Sequence, residues 1–254
     1  MIVMDAIALA FSMFSALPVP QVEWTDRSLR WSLCAFPLVG VVIGLAAWGW
    51  LRLAAALGLH ALLRGAGLCL LPPLLTGGVH LDGYADTCDA LASHAGTERR
   101  QEILKDPHIG AFAAIRLCML FIASFALWTA LGEHTALTAL LGLFGLSRSL
   151  SGLALTCFPL REGGGLARSF AEAADKKRAR TVLAAESAVF AVLLCWGGGL
   201  LAALAAAAVF ARYYRVCVRD FGGLSGDLAG WFLQRAELWM LLALVLTQIG
   251  REWL

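Results

Sequence analysis

Long apolar runs separated by short polar segments make up most of the chain. Two runs, residues 109–131 and 135–158, are long enough to cross a bilayer, since a spanning helix needs about 20 mostly apolar residues. Only residues 132–134 separate them, so the two helices are predicted to form a hairpin. The polar segments that flank this hairpin, residues 76–108 and 159–180, then lie on one side of the membrane.

Shorter apolar runs complete the pattern, and they cover residues 9–17, 33–50, 61–75 and 238–249. The first and last of these are short for a spanning helix. Residues 181–211 are long for one span and short for two at a rise of about 1.5 Å per residue, and Gly197–Gly199 is a point where the helix could break. One helix or two therefore stays open. The pattern predicts an all-α, polytopic membrane helix bundle of about five to seven membrane helices, with residues 1–254 as one integral membrane catalytic domain.

Composition supports the membrane prediction and gives it an orientation. Apolar residues make up 60% of the chain and charged residues only 15%, whereas soluble domains are near half apolar and a quarter charged. A net charge of +2 without a basic, aromatic-rich patch predicts no nucleic-acid partner. Lys and Arg mark the cytoplasmic side of spanning helices, and residues 159–180 contain six of them. We therefore predict that both polar segments are cytoplasmic loops.

Three aspartates form the strongest candidate for chemistry. Asp82, Asp86 and Asp89 are spaced i, i+4 and i+7, which places them within about 60° of arc on a helix. No Lys or Arg lies between them to balance the charge. Carboxylate oxygen is a hard ligand that suits Mg²⁺ or Mn²⁺, and Gly77 and Gly78 would let backbone approach a ligand closely. The stripe predicts a metal site, with a solvated acidic helix face as the alternative.

A second polar motif follows at residues 105–108. Lys105 is a candidate for holding a phosphate oxygen as a point charge, and Asp106 is a candidate fourth carboxylate. The alternative is a helix start with Asp106 as N-cap and Pro107 in the first turn, where proline is favoured. Both interpretations can hold together.

Two weaker motifs combine basic or acidic residues with glycine. Arg161 precedes the run Gly163–Gly165, and Arg148 lies about one helix length upstream, which suggests a phosphate clamp or an ordinary loop. Gly226 and Asp227 end a glycine-rich turn that would deliver one more carboxylate and a backbone contact for substrate. Polar clusters at helix ends of an otherwise apolar membrane protein usually serve function. Together the motifs suggest a nucleotide or pyrophosphate substrate bound through metal.

Several stretches resemble the cobalamin synthase family, the adenosylcobinamide-GDP ribazoletransferases. They are GGVHLDGYADTCD at residues 77–89, ILKDPHIGAF at 103–112, GGLSGD at 222–227, and shorter matches at 17–20 and 37–40. They follow the family's order and cover nearly the whole chain. The chain departs from the family at Gln234, where glutamate is common, although Glu237 matches; Ser225 and Ala90 also stand where threonine and glycine are usual.

The resemblance implies a reaction, a metal and a location. A hydroxyl of α-ribazole, or of α-ribazole 5′-phosphate, attacks the phosphate nearer cobinamide in adenosylcobinamide-GDP, and GMP leaves. The family uses Mg²⁺ and sits in the bacterial cytoplasmic (inner) membrane. Association with other late cobalamin-pathway enzymes is a further expectation.

The resemblance also implies roles for individual residues. Asp82, Asp86 and Asp89 match the family's acidic motif, and Asp227 matches its glycine-aspartate turn. We expect these four to hold Mg²⁺ against the pyrophosphate. Lys105, Asp106 and Arg161 match further recurrent polar positions, and Lys105 and Arg161 would stabilise the leaving GMP. One carboxylate, or His80, would take the proton of the attacking hydroxyl.

Two other protein classes also place aspartates at membrane helices. A CDP-alcohol phosphotransferase would show arginine before its second aspartate, where this chain has Ala85, and a GxxxD motif that does not follow here. A cation transporter would hold its carboxylates near the membrane midplane, whereas these are predicted in loops or at helix ends. Both alternatives stay open at the level of sequence, and the ribazoletransferase interpretation is favoured.

Overall fold

The computed structural model describes residues 2–20, 22–162 and 166–252 and is built from α-helices. In chain order these are α1 Ile2–Phe14, α2 Asp26–Ala56, α3 Ala61–Thr76, α4 Val79–Ala92, α5 Thr97–Ile103, α6 Ala111–Ala130, α7 Leu137–Cys157, α8 Leu166–Ala173, α9 Lys176–Trp196, α10 Leu200–Phe221 and α11 Gly226–Glu252. Six are long and apolar enough to cross a membrane, or seven if α3 and α4 form one bent span. The predicted all-α, multi-pass bundle is confirmed. Residues 131–136 join α6 to α7, but the two helices do not pack as the predicted hairpin: α7 packs mainly against α2 and α9, and α6 against α3 and α4.

The ambiguous segment at residues 181–211 folds as two helices. It breaks at Gly197–Gly199, where Gly198 has φ +87° and a Cβ on Gly197 would lie 2.6 Å from the backbone nitrogen of Ala139. The apolar run alone is too short for two spans. The helices are longer than this run because they also include the charged residues on either side of it, so that α9 has 21 residues and α10 has 22. Similarly, the marginal run at 238–249 is the second half of the 27-residue α11.

Helix order places the polar motifs at one end of the bundle. Counting α3 as a span, the chain crosses from end to end seven times, so the starts of α6, α9 and α11 lie with α4, α5 and α8. Short links occupy the other end. There Arg64 pairs with Glu133 at 3.3 Å, and the backbone N–H of Gly132 donates to Oε1 of Gln248 at 2.9 Å.

The acidic motif lies on a helix, although residues 76–108 were predicted to be a loop. Gly77 and Gly78 both adopt left-handed backbone, with φ +64° and +78°, which only glycine adopts readily. This turn sets α4 at 95° to α3. The segment therefore leaves the bundle axis at once and continues as α4 and then α5, which presents the aspartate stripe at the end of the bundle.

Helix α4 crosses α11 at backbone contact. A Cβ on Gly83 would lie 2.7 Å from Cα of Asp227, and a Cβ on Gly230 would lie 2.8 Å from the carbonyl oxygen of His80. Small residues let membrane helices approach this closely. The crossing thus fixes where α4 and the first turn of α11 lie relative to each other.

Adding one methyl group at this crossing should destabilise the protein. Gly230→Ala forces a carbon against rigid backbone, so we expect a loss of about 1–3 kcal/mol and a lower midpoint of thermal unfolding in detergent. Gly250→Ala on the same helix is the control, since nothing lies within 4 Å of its Cβ position. Its midpoint should be unchanged or slightly raised, because alanine favours helix over glycine. Equal midpoints for both variants would contradict the close crossing.

Candidate active site

Carboxylates from two distant parts of the sequence meet at the α4–α11 crossing. Asp86 interacts electrostatically with the other three aspartates of the predicted set, so like charges face one another here. Asp227 lies in the first turn of α11 and interacts with Asp82. Gly83, one residue after Asp82, is the contact point that brings them together. The structure therefore brings together the acidic motif and the glycine-aspartate turn.

A cavity of about 300 Å³ lies beside this crossing. Its polar side is lined by Asp82, Asp227, Arg161, Arg168 and Ser225. Such a space, with a few convergent charged groups, is typical of small-molecule sites. Both signs of charge are present, so the cavity suits a ligand that carries phosphate.

Arg161 reaches the cavity because its backbone is tied to the turn before α11. The backbone N–H of Arg161 donates to the carbonyl of Leu224 at 3.0 Å, and that of Leu224 donates to Pro159 at 2.8 Å. Gly223 is required at the contact, since φ is +154° and a Cβ would lie 2.5 Å from the nitrogen of Arg161. The glycine run at 163–165 that suggested a clamp lies outside the described residues.

The guanidinium of Arg161 has unused hydrogen-bonding capacity. Its Nη1 atom is buried and has no hydrogen-bond partner within the described part of the chain, while its charge acts on Asp227. An unpaired buried donor of this kind costs about 1–3 kcal/mol or more. It fits an anionic ligand in the cavity.

The opposite side of the cavity is aromatic and apolar. Phe14 of α1, Phe36 of α2 and Phe170 of α8 line it, and His80 of α4 stands among them. The three phenylalanines and Arg168 were not predicted from the sequence as site residues. A signal existed only for Phe170, the one aromatic residue of segment 166–180, in which seven of fifteen residues are charged.

Asp89 has a different environment from Asp82 and Asp86. Its Oδ1 accepts a hydrogen bond from the backbone N–H of Ala113 at 3.3 Å, in the first turn of α6. Gly110, the N-cap of α6, has no side chain to do this, and a Cβ there would collide with the Asp89 carboxylate. Asp89 thus caps α6 from a neighbouring helix. The predicted start of this helix at Asp106 and Pro107 is wrong, because α6 begins at Ala111 and Asp89 supplies its cap.

Lys105 and Asp106 lie in an exposed turn after α5 and do not line the cavity. Oδ1 of Asp106 accepts from the backbone N–H of His108 at 3.0 Å and contacts the His108 ring nitrogen Nδ1 at 2.7 Å. These hydrogen bonds lower the pKa of Asp106 below its ordinary value. The structure places both residues at the same end of the bundle as the cavity, but not in it.

Arg148 is also outside the cavity. It is 1% exposed, forms an ion pair with Glu237, and donates from Nη1 to the hydroxyl of Ser147 at 2.8 Å. Charged groups within a membrane bundle usually pair in this way. The pair joins α7 to α11, and no contact of Arg148 with the predicted substrate-binding residues appears in the described chain.

The glycines predicted to bind substrate fall in two places. Gly77 and Gly78 line an open groove of about 470 Å³ on the other side of α4, together with Asp82. Gly226 lines the cavity beside Asp227. Asp82 therefore borders both spaces. It is exposed, whereas Asp86, Asp89 and Asp227 are half-buried.

The protein alone supplies only some of the oxygen ligands that a hard cation such as Mg²⁺ would need. Among the described residues, no group of three or more His, Cys, Asp or Glu side chains is arranged to hold a metal ion. Asp82 and Asp227 nevertheless line one cavity, and Mg²⁺ usually takes one or two carboxylates with the remainder from substrate phosphates and water. The carboxylate chemistry thus fits Mg²⁺ when substrate supplies the other ligands.

Known proteins have sequences similar to this one over nearly the whole chain. A protein of Lachnoclostridium phytofermentans named adenosylcobinamide-GDP ribazoletransferase is 38% identical over 248 residues, which cover 96% of this chain and 95% of the relative. One of the same name from Pseudomonas putida is 36% identical over 244 residues, covering 94% and 97%. No solved structure matches the chain. Residues 6–245, which include α4 and most of α11, match the family described as cobalamin-5-phosphate synthase, and the chain belongs to that family.

Proposed function

We propose that the cavity at the α4–α11 crossing is where this chain joins adenosylcobinamide-GDP to α-ribazole, or to its 5′-phosphate, with release of GMP. The family and the names of its relatives support the transferase activity. The observation that carries the location is that Asp82, Asp227 and Arg161 line one cavity. Neither a CDP-alcohol phosphotransferase nor a cation transporter is favoured by these comparisons.

Phosphoryl transfer depends on positioning and charge neutralisation more than on covalent help from the protein. A Mg²⁺ ion would supply that neutralisation at the pyrophosphate, and we assign Asp82 and Asp227 to hold it, with Asp86 beside them. Asp89 is engaged at the start of α6, so we assign it a positioning role instead of direct ligation.

Arg161 supplies positive charge in the cavity from the protein itself. Its buried Nη1, which has no hydrogen-bond partner among the described residues, is suited to a phosphate oxygen of the substrate, where a charge-assisted hydrogen bond is stronger than a neutral one. Such a contact would stabilise the charge that develops on the leaving GMP. Lys105 is exposed outside the cavity, so its part in holding GMP stays a prediction.

The proton of the attacking hydroxyl needs an acceptor within hydrogen-bond reach. We assign this role to Asp86, which lies among the other three aspartates and is not one of the two carboxylates assigned to Mg²⁺. His80 is the alternative from the sequence. Its position among phenylalanine rings favours a role in binding instead of proton transfer.

The site faces the cytoplasm in this proposal, and the membrane is the bacterial cytoplasmic membrane. Basic residues concentrate at the end of the bundle that carries the cavity, including Arg161, Arg168 and the start of α9. By the positive-inside rule this end is cytoplasmic. Association with other late cobalamin-pathway enzymes stays a prediction.

The reaction is tested with detergent-purified protein, adenosylcobinamide-GDP, α-ribazole and Mg²⁺, with GMP release as the measurement. Asp82→Asn and Asp227→Asn should each lower the rate by about 100-fold or more, because each removes a charge from the predicted ligand pair. Glu98→Gln, an exposed acid at the same end of the bundle, should leave the rate unchanged. Absence of GMP with folded wild-type protein and intact substrates would refute the proposal.

Asp89 should behave differently from Asp82 when substituted. Asp89→Asn keeps an oxygen that can cap α6, so we expect activity within a few-fold of wild type and an unchanged Mg²⁺ dependence. Asp89→Ala removes the cap and should cost about 1 kcal/mol of stability. If Asp89→Asn is as inactive as Asp82→Asn and needs more Mg²⁺, then Asp89 is a metal ligand and the capping assignment fails.

A further inference from the structure

The cavity has two chemically different halves, and so does a nucleoside. Its charged half is formed by Asp82, Asp227 and Arg161, and its aromatic half by Phe14, Phe36 and Phe170 with His80. A nucleoside likewise joins a polar sugar to a planar base. We propose that the aromatic half binds the planar base of the α-ribazole substrate, with the three phenylalanines as its walls and Nε2 of His80 as the hydrogen-bond partner of a ring nitrogen. This inference rests on the proposed function.

The aromatic rings are assembled from separate elements. The Phe14 ring centroid lies 4.3 Å from that of Phe36 and 5.8 Å from that of Phe170, and both pairs are tilted. The His80 ring is stacked with Phe14 at 6.3 Å and tilted against Phe36 at 5.8 Å. The rings lie on α1, α2, α4 and α8. In a cluster that serves only for packing, the rings contact one another and leave no space, whereas these rings line a cavity.

His80 provides a second, independent observation. The residue is 6% exposed, and its Nε2 has no hydrogen-bond partner among the residues that the structure describes. Leaving a buried polar group unpaired costs about 1–3 kcal/mol. A histidine retained only for packing would satisfy that atom. A ring nitrogen of a bound base would accept a hydrogen bond from Nε2–H and remove this cost.

The size and polarity of the space identify the base. A cavity of about 300 Å³ is at the small end of ligand sites, so it suits a nucleoside and not a corrinoid. Guanine of adenosylcobinamide-GDP is the other heteroaromatic base in the reaction. It carries several donors and acceptors that would each need a partner, and among the described residues that line the apolar half, the polar side chains are His80 and the buried Ser151. The benzimidazole of α-ribazole has one free ring nitrogen, which matches a single donor.

Adenosylcobinamide-GDP, the larger substrate, would then bind in the open groove on the other side of α4. Gly77, Gly78 and Ile109 line that groove, and Asp82 separates it from the cavity. With the corrinoid in the groove, its pyrophosphate would extend past Asp82 into the charged half of the cavity, where it would meet Arg161 and the attacking hydroxyl of the nucleoside.

Phe14→Leu tests the base site, because it removes the ring and keeps an apolar side chain. Stacking of a base on an aromatic side chain is worth about 1–3 kcal/mol, so we expect the KM for α-ribazole to rise about tenfold. The KM for adenosylcobinamide-GDP should stay within about twofold of wild type. Phe210→Leu is the matched control, since that ring belongs to a cluster with Phe158 and Tyr213 that does not line the cavity.

His80 is tested by a pair of substitutions. His80→Leu removes the donor and should raise the KM for α-ribazole by about tenfold, whereas His80→Gln keeps an amide donor and should recover much of the affinity. Circular dichroism and thermal unfolding in detergent establish that each variant is folded. A general base at His80 would instead show as a loss of kcat in both variants.

Direct binding separates this inference from the proposed function. Calorimetry of α-ribazole with the full-length protein, without the second substrate, should show weaker binding for Phe14→Leu even if no GMP is ever released. An active wild type whose KM for α-ribazole is unchanged by Phe14→Leu and His80→Leu would overturn the base site and leave the reaction intact. A rise in the KM for adenosylcobinamide-GDP, with competition by GMP, would assign the pocket to guanine and also overturn it.

Discussion

The contact between α4 and α11 at Gly83 and Gly230 is the constraint on which the site depends. Two helix backbones can approach this closely only where no side chain stands between them. At this point Asp227 comes beside Asp82, although they lie 145 positions apart in the chain. The same approach fixes the turn before α11, and through it the backbone of Arg161. A larger distance between α4 and α11 would move Asp227 away from Asp82. It would also displace the turn that holds Arg161 at the cavity.

The bilayer explains why few charged or polar side chains join the membrane helices to one another. Water is absent from the hydrocarbon core, so a charge placed there needs a partner. Arg148 and Glu237 meet this need by pairing between α7 and α11, and removing one partner of a buried pair typically costs about 3–5 kcal/mol. All other candidate site charges lie at one end of the bundle. Chemistry on a charged pyrophosphate thus takes place where water and ions are available, on a scaffold held by apolar packing.

The three aspartates of one stripe have separate environments despite their regular spacing. Asp82 borders both the cavity and the groove, Asp86 lies among the other carboxylates, and Asp89 caps α6. A stripe on a helix faces different neighbours along its length, so equal spacing does not imply equal roles. In this arrangement Asp89 connects the acidic helix to the start of α6.

From the sequence, the length of the apolar runs determined the all-α membrane class, the two consecutive spans α6 and α7, and the common end of the polar motifs, because the bilayer imposes a fixed span. The i, i+4, i+7 spacing likewise determined the aspartate stripe. Tertiary structure alone decided the rest. The break at Gly197–Gly199 depends on contact with α7. The cap of α6 depends on Asp89, which lies 24 positions before its hydrogen-bond partner Ala113. The aromatic side of the cavity depends on rings from four separate helices. Such features arise from side chains that meet only after folding, and no local pattern in the chain records which distant helix each residue will face.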